Sequence, residues 1–252
     1  MPTTIDMEQW TDKVALVTGA SSGIGRAIAA RLVNGGMRVA GCGRNADALT
    51  ELRESLGGRF LPVVCDLRDE TSILQMFAEV ELVFGGLDVL VNNAGLGHAG
   101  SLTTGSTEAW REMLDVNVLA LCICTREAVQ RMQAGGRTGH VLHVSSMAAH
   151  RTPPGSGVYS ATKFAVRALT EALRQELQAA GSPIRVTALS PGYVETDFAA
   201  RYHKTPDAAA SSYGNYPVLQ PEDVADAVVW AMEQPPHVQV HDILMRPTRQ
   251  PL

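Results

Sequence analysis

Lys13-Val-Ala-Leu-Val-Thr18-Gly19-Ala-Ser-Ser-Gly23-Ile-Gly25 runs from an uninterrupted apolar stretch into three glycines, and a helical pattern of apolar residues continues to about Asn34. A short apolar run bounded by turn residues predicts a buried strand, and the 3.6-residue period after it predicts a helix. Glycines suit the turn between them because they let the backbone approach a pyrophosphate at the helix N-terminus, where free N–H groups and the helix dipole favour anions. The spacing is G-x-x-x-G-x-G, not the G-x-G-x-x-G of the dinucleotide fingerprint. Behind a buried strand, the turn predicts a nucleotide site.

The same alternation continues outward. Met37-Arg-Val-Ala-Gly-Cys-Gly43, Phe60-Leu-Pro-Val-Val-Cys65, Leu87-Asp-Val-Leu-Val91, Gly139-His-Val-Leu-His-Val-Ser145-Ser146 and Ile184-Arg-Val-Thr-Ala-Leu-Ser190 read as strands, as does 238–245. Helices are expected from near Asp69, over 107–132, from Tyr159 onward, and over 221–233 with Pro221 in its first turn. Strands alternating with helices throughout predict an α/β protein with a doubly wound parallel sheet flanked by helices, forming one domain over 1–252. Neither a solenoid-type repeat nor a dividing linker is present. Residues from about 198 to 217 are rich in Ala, Ser and Tyr with weak periodicity; with the turn before them they read as a mobile substrate loop at about 193–217.

The chain has 252 residues, 45% hydrophobic and 5% aromatic, enough for one full core. A net charge of -5 argues against nucleic acid or an anionic membrane as partner and points to small molecules. The first nine residues lack a basic and then apolar leader, and no run is long and apolar enough to cross a bilayer, so a soluble cytoplasmic protein is expected. Cys42, Cys65, Cys122 and Cys124 lie in apolar segments and read as buried free thiols.

Candidate chemistry starts from Tyr159-Ser-Ala-Thr-Lys163, which puts a phenol and an ammonium on one helix face. A nearby ammonium favours the phenolate, bringing its pKa toward working pH. Arg44 follows the second strand, where NAD-binding folds place an acidic residue, so a guanidinium there suits a 2′-phosphate or is a surface arginine. Asp66 either accepts from an adenine amino group or caps the next helix. Asn92-Asn93-Ala94-Gly95 lines a cofactor cleft or stabilises the sheet edge. Asn117, in mid-helix, needs a partner, and so holds a water or marks a kink near a site. Ser145 and Ser146 end the fifth strand. His140 and His143 lie on opposite faces of that strand, which disfavours a metal pair.

Thr18-Gly19-Ala-Ser-Ser-Gly23-Ile-Gly25, Asn92-Asn-Ala-Gly95, Asn117, Ser146, Tyr159-x-x-x-Lys163 and Pro191-Gly192 resemble, in order and approximate spacing, the short-chain dehydrogenase/reductases. The resemblance covers essentially the whole chain. It implies a Rossmann-type seven-stranded sheet and hydride transfer between nicotinamide and a carbonyl or carbinol carbon. It further implies Tyr159 as general acid or base, Lys163 as the group lowering its pKa and binding the ribose, Ser146 as the substrate-oxygen contact, and Asn117 as holder of a proton-relay water. Ser145 is the competing serine.

Carried over in the same way, Gly19, Ser21, Ser22, Gly23, Ile24 and Gly25 line the pyrophosphate and adenosine path. Asp66 and Leu67 meet the adenine, Asn93, Ala94 and Gly95 the ribose region, and Pro191, Gly192, Val194 and Thr196 the nicotinamide. Arg44 resembles the basic residue of NADP-preferring members, while Ser22 stands where a second basic residue would be, so NAD stays possible. Trp10, Cys42-Gly-Arg44, 117–127 and 242–248 look like the branch with farnesol dehydrogenases and NADP-dependent ketosteroid reductases, and more distantly 3-hydroxy acid and serine dehydrogenases. The resemblance implies a homodimer or tetramer. The small and apolar residues of 96–98, 147–158, Tyr193 and the loop favour a hydrophobic ketone, aldehyde or alcohol. His98, His150 and Arg151 are solvated or anchor a polar end. The alternatives are a 3-hydroxy acid dehydrogenase and a non-catalytic nucleotide-binding regulator.

Overall fold

The computed structural model describes residues 7–205, 213–214 and 216–250. Seven strands form one parallel sheet: β1 (Val14–Thr18), β2 (Arg38–Gly43), β3 (Phe60–Val64), β4 (Val89–Asn92), β5 (His140–Val144), β6 (Arg185–Pro191) and β7 (Asp242–Met245). Their spatial order is β3-β2-β1-β4-β5-β6-β7. All five residues of β1 are buried, as a central strand covered on both faces requires. The order reverses between β1 and β4, where Leu16 faces Leu90, and there a crevice opens beyond the carboxyl ends of the strands.

Helices cover both faces. On one, α1 (Gly23–Asn34) and α2 (Ala46–Leu56) pack with the late helix α8 (Pro221–Glu233) around Ile28, Leu32, Leu49, Val228 and Met232. On the other, α3 (Glu70–Phe84), α5 (Ala120–Ala134) and α6 (Gly157–Ala179) close over Leu16, Phe77, Leu90 and Met132. Capping side chains set the starts: Asn45 accepts from the Ala48 N–H, Asp69 from Thr71, and Gln220 and Asp223 form a reciprocal capping box.

Three elements differ from the sequence-based expectation. The helix expected over 107–132 is α4 (Thr107–Leu114), a π-helical turn (Asp115–Leu119) and α5, with Asn117 in the turn. α2 lies where no helix was expected, although Asn45 is a good N-cap. β7 begins at Asp242, four residues later than expected, because Val238 donates back to Pro235 in a turn. The segment 193–217, expected as a substrate loop, is partly helical, with α7 at Phe198–His203; its residues 206–212 and 215 lie outside the described residues. Among the described residues, no helix is long and apolar enough to cross a membrane.

Candidate active site

The glycine turn is a cradle of backbone. Gly19 and Gly23 have φ of +69° and +54°, conformations that L side chains rarely adopt, and no side chain caps the N-terminus of α1 at Ser22. A Cβ on Gly19 would come within 3.0 Å of Ala94 Cα, and one on Gly23 within 3.1 Å of Thr196 Cγ2. Ser21 faces Gly43 at the end of β2, and Ile24 packs against the core. An uncapped helix start beside left-handed glycines suits a pyrophosphate. Gly25 contributes through close packing instead, because a Cβ there would lie 2.3 Å from Gly19 O and 2.4 Å from Asn93 Nδ2, and its absence lets the helix approach the turn. Asn93 in turn donates from Nδ2 to Thr18 O at 2.9 Å and Gly19 O at 3.3 Å. Its side chain ties β4 to the cradle.

At the other end of the crevice edge, Arg44 is 60% exposed. Asp66 is forked by Arg68, whose hydrogen bonds hold the carboxyl well below its usual range, at about 2. The Asp66 side chain also accepts from the Arg68 N–H; Asp69, not Asp66, caps α3. Leu67 packs at the margin of the core.

The catalytic candidates converge from β5, the π-turn and α6. Ser146 accepts from the Ala148 N–H at 3.1 Å, and its hydroxyl lies close enough to the Tyr159 phenol to favour the ionised form. Ser145 is buried and donates to Lys163 O at 3.5 Å. Lys163, 5% exposed, donates from Nζ to Val144 O at 3.0 Å, and Nζ lies 5.9 Å from the Tyr159 ring centroid. Asn117 bonds the backbone of Leu96 on both sides, at 2.9 and 2.8 Å, and donates to Thr162 Oγ1 at 3.0 Å. The π-turn thus aims an amide that links the loop after β4 to α6.

Lowering of the Tyr159 pKa by Lys163 is not what this geometry gives. Burial pushes the phenol up to about 12, opposed by the Ser146 hydroxyl, while burial pulls the Lys163 ammonium down to about 8. The phenol holds its proton at neutral pH. The buried ammonium carries a desolvation cost: between about pH 8 and 10.5 the unfolded chain binds more protons at this site, so stability rises with pH across that window. Lys163→Met is therefore expected to raise Tm at pH 7 by removing roughly 2–3 kcal/mol of that cost, with turnover lost. Melting curves from pH 7 to 10 check this, and the gain over the parent should shrink as pH rises.

α7 closes over this centre. The Tyr159 ring lies 5.5 Å from Phe198 and 5.8 Å from Tyr202, the latter edge-on. Gly97 makes the approach possible, since a Cβ there would lie 2.6 Å from Tyr202 Cδ2 and 2.9 Å from Tyr159 Cδ2. Ala99 N–H donates to Tyr202 O at 3.0 Å, joining loop and helix.

Val194 bridges Leu219, and Pro191 and Gly192 end β6, where Gly192 N–H donates to Met245 O at 2.7 Å. Thr196 Oγ1 accepts from Phe198 N–H at 3.2 Å. His140 meets Thr187, while His150 reaches Ser190 and Asp242.

Several contributors escaped the sequence reading. Phe198 and Tyr202 lay in a segment of weak periodicity. Arg68 and Glu112 carry no motif. A buried chain also runs from Asn92 Nδ2 to Thr125 Oγ1, from there to His143 Nε2, and from His143 Nδ1 to Thr170 Oγ1 and on to Val166 O. With Thr170 donating onward, His143 carries its proton on Nδ1, and burial pulls its pKa down to about 3. This chain fastens β4, β5 and α5 to α6, the helix that bears Tyr159 and Lys163.

The parallel sheet with its glycine cradle at the switch point defines a Rossmann-type α/β protein. A family model described as short chain dehydrogenase matches residues 13–207, and the chain belongs to that family of oxidoreductases. It is 51% identical to the bovine (Bos taurus) "Dehydrogenase/reductase SDR family member 11" over 253 residues, covering 97% of this chain and 99% of that one. It is 42% identical to the farnesol dehydrogenase of Aedes aegypti over 248 residues, covering 96% and 98%. Among solved structures, the closed form of a serine dehydrogenase complexed with NADP+ matches with a TM-score of 0.90 at 35% identity, covering 95% of this chain and 96% of that one.

Proposed function

We propose that this chain is an NADP-preferring oxidoreductase that reduces a hydrophobic ketone or aldehyde to its alcohol. The observation that carries the reading is Tyr159, buried beside Ser146 and Lys163 and enclosed by Phe198 and Tyr202. Ser146, with its oxygen engaged by Ala148 N–H, turns its proton outward and holds the substrate oxygen. Tyr159, protonated at neutral pH, gives its proton to the alkoxide that develops there. Lys163 supplies positive charge behind the phenol and a contact for the ribose. Asn117 holds the loop after β4 against α6 and positions the relay of protons.

A nicotinamide dinucleotide supplies the hydride when bound. Gly19, Ser21, Ser22, Gly23 and Ile24 cradle its pyrophosphate, with Gly25 keeping the turn tight. Asp66 and Leu67 flank the adenine, and Arg44 takes the 2′-phosphate. Asn93, Ala94 and Gly95 border the ribose, and Pro191, Gly192, Val194 and Thr196 border the nicotinamide. The rings around Tyr159 and the likeness to a farnesol dehydrogenase support an apolar substrate. The likeness to a serine dehydrogenase supports a 3-hydroxy acid as the second reading. Leu114, Leu119 and Phe164, exposed on the α4–α6 side, support assembly as a homodimer or tetramer.

The test is a steady-state panel of apolar ketones, aldehydes, steroids, serine and other hydroxy acids with NADPH and NADH. The highest kcat/KM is expected for an apolar carbonyl with NADPH. A hydroxy acid turned over more efficiently than every apolar carbonyl would overturn the substrate class.

A further inference from the structure

Arg44 and Arg68 both face one oxygen of Glu112, on α4. Arg44 Nη1 stands 4.0 Å and Arg68 Nη1 3.8 Å from Oε1. The other oxygen, Oε2, is held at 2.8 Å by His98 Nε2; since a carboxylate only accepts, Nε2 is the donor. That bond fixes the carboxylate with Oε1 toward the two guanidinium groups. Arg68 is already forked onto Asp66, so its charge is largely matched. Arg44 is the less committed of the two: its ion pair is long and solvent-exposed, the kind that contributes little and yields to a stronger anion.

We propose that Glu112 sets the discrimination between 2′-phosphorylated and unphosphorylated adenosine, by competing with the phosphate for Arg44 and repelling it. The proposal rests on the reading of Arg44 as the 2′-phosphate contact. Two arginines and two carboxylates leave this corner electrically balanced, which tempers the preference that a lone arginine would confer. Removing the Glu112 charge frees Arg44 and removes a repulsion, and neither effect touches a nucleotide that lacks the 2′-phosphate.

The probes are adenosine 2′,5′-bisphosphate and adenosine 5′-monophosphate, with affinities measured by calorimetry at low salt. Glu112→Gln is expected to tighten the bisphosphate roughly 3–10-fold relative to the monophosphate, an effect that shrinks with salt. The NADPH-to-NADH ratio of kcat/KM should rise in parallel. Glu112→Asp keeps the charge and should retain the parent's discrimination. Glu108→Gln removes the same charge one turn earlier on α4, where Glu108 meets Ser106, and should leave discrimination unchanged. In an Arg44→Ala background the Glu112→Gln gain should vanish. No gain in Glu112→Gln, an equal gain in Glu108→Gln, or a gain that persists without Arg44 overturns the proposal. If Arg44→Ala alone leaves the parent's discrimination intact, the 2′-phosphate reading of Arg44 fails and the proposal with it. If Arg44→Ala reduces discrimination while Glu112→Gln is silent, only the proposal fails.

Discussion

Tyr159→Phe is expected to lower kcat by a factor on the order of 10²–10⁴, the usual contribution of a positioned general acid, while leaving dinucleotide affinity within about twofold. The phenol oxygen lies near the Ser146 hydroxyl, and the Tyr159 ring packs against Tyr202 and Phe198. Phenylalanine keeps the ring contacts and removes only the oxygen and its proton. The loss should therefore fall on kcat, with the glycine cradle untouched. Because the parent phenol is pushed up to about 12, carbonyl reduction should not lose its proton donor to ionisation of Tyr159 across the neutral range. Single-turnover kinetics and a separate titration of cofactor binding check both halves. Parent-like turnover in the variant would remove Tyr159 from the proton-transfer role.

Gly25→Ala is expected to be the most damaging single methyl in the cradle. Its Cβ would stand 2.3 Å from a backbone oxygen, Gly19 O, and 2.4 Å from Asn93 Nδ2, which is itself bonded to Thr18 O and Gly19 O. None of these is the loose end of a flexible side chain, so α1 must move away from the turn. Overpacking of this kind costs about 1–3 kcal/mol, and moving the helix start also misaligns the N–H groups that suit a pyrophosphate. Both Tm and dinucleotide affinity should fall together, affinity tenfold for each ~1.4 kcal/mol of misalignment. Gly58→Ala is the control, since nothing lies within 4 Å of a Cβ there. A Gly25→Ala protein with the parent's Tm and affinity would show that the turn accommodates the methyl.

Much of this was legible in the chain because the signals are local. A run such as Val14–Thr18 is apolar at every position because both faces are buried, and glycines at 19 and 23 announce backbone that other residues adopt poorly. Asn117 was legible as an anomaly, a polar residue in mid-helix that needs partners. Its partners turned out to be Leu96 and Thr162, and its helix a π-turn. Residues such as Phe198 and Tyr202 gave no comparable signal: a six-residue helix carries little periodicity, and its place over Tyr159 depends on Gly97, a hundred residues earlier.

The division follows from the range of the forces. Strand, turn and helix order, the cradle, and the presence of Tyr159, Lys163, Ser146 and Asn117 in one chain follow from periodicity and backbone sterics, which act over a few residues. Which rings enclose Tyr159, how far Lys163 stands from it, and which way burial moves each pKa depend on desolvation and contacts between distant segments. So does the meeting of Glu112 with Arg44, Arg68 and His98, since α4, the ends of β2 and β3, and the loop after β4 come together only when the sheet is wound.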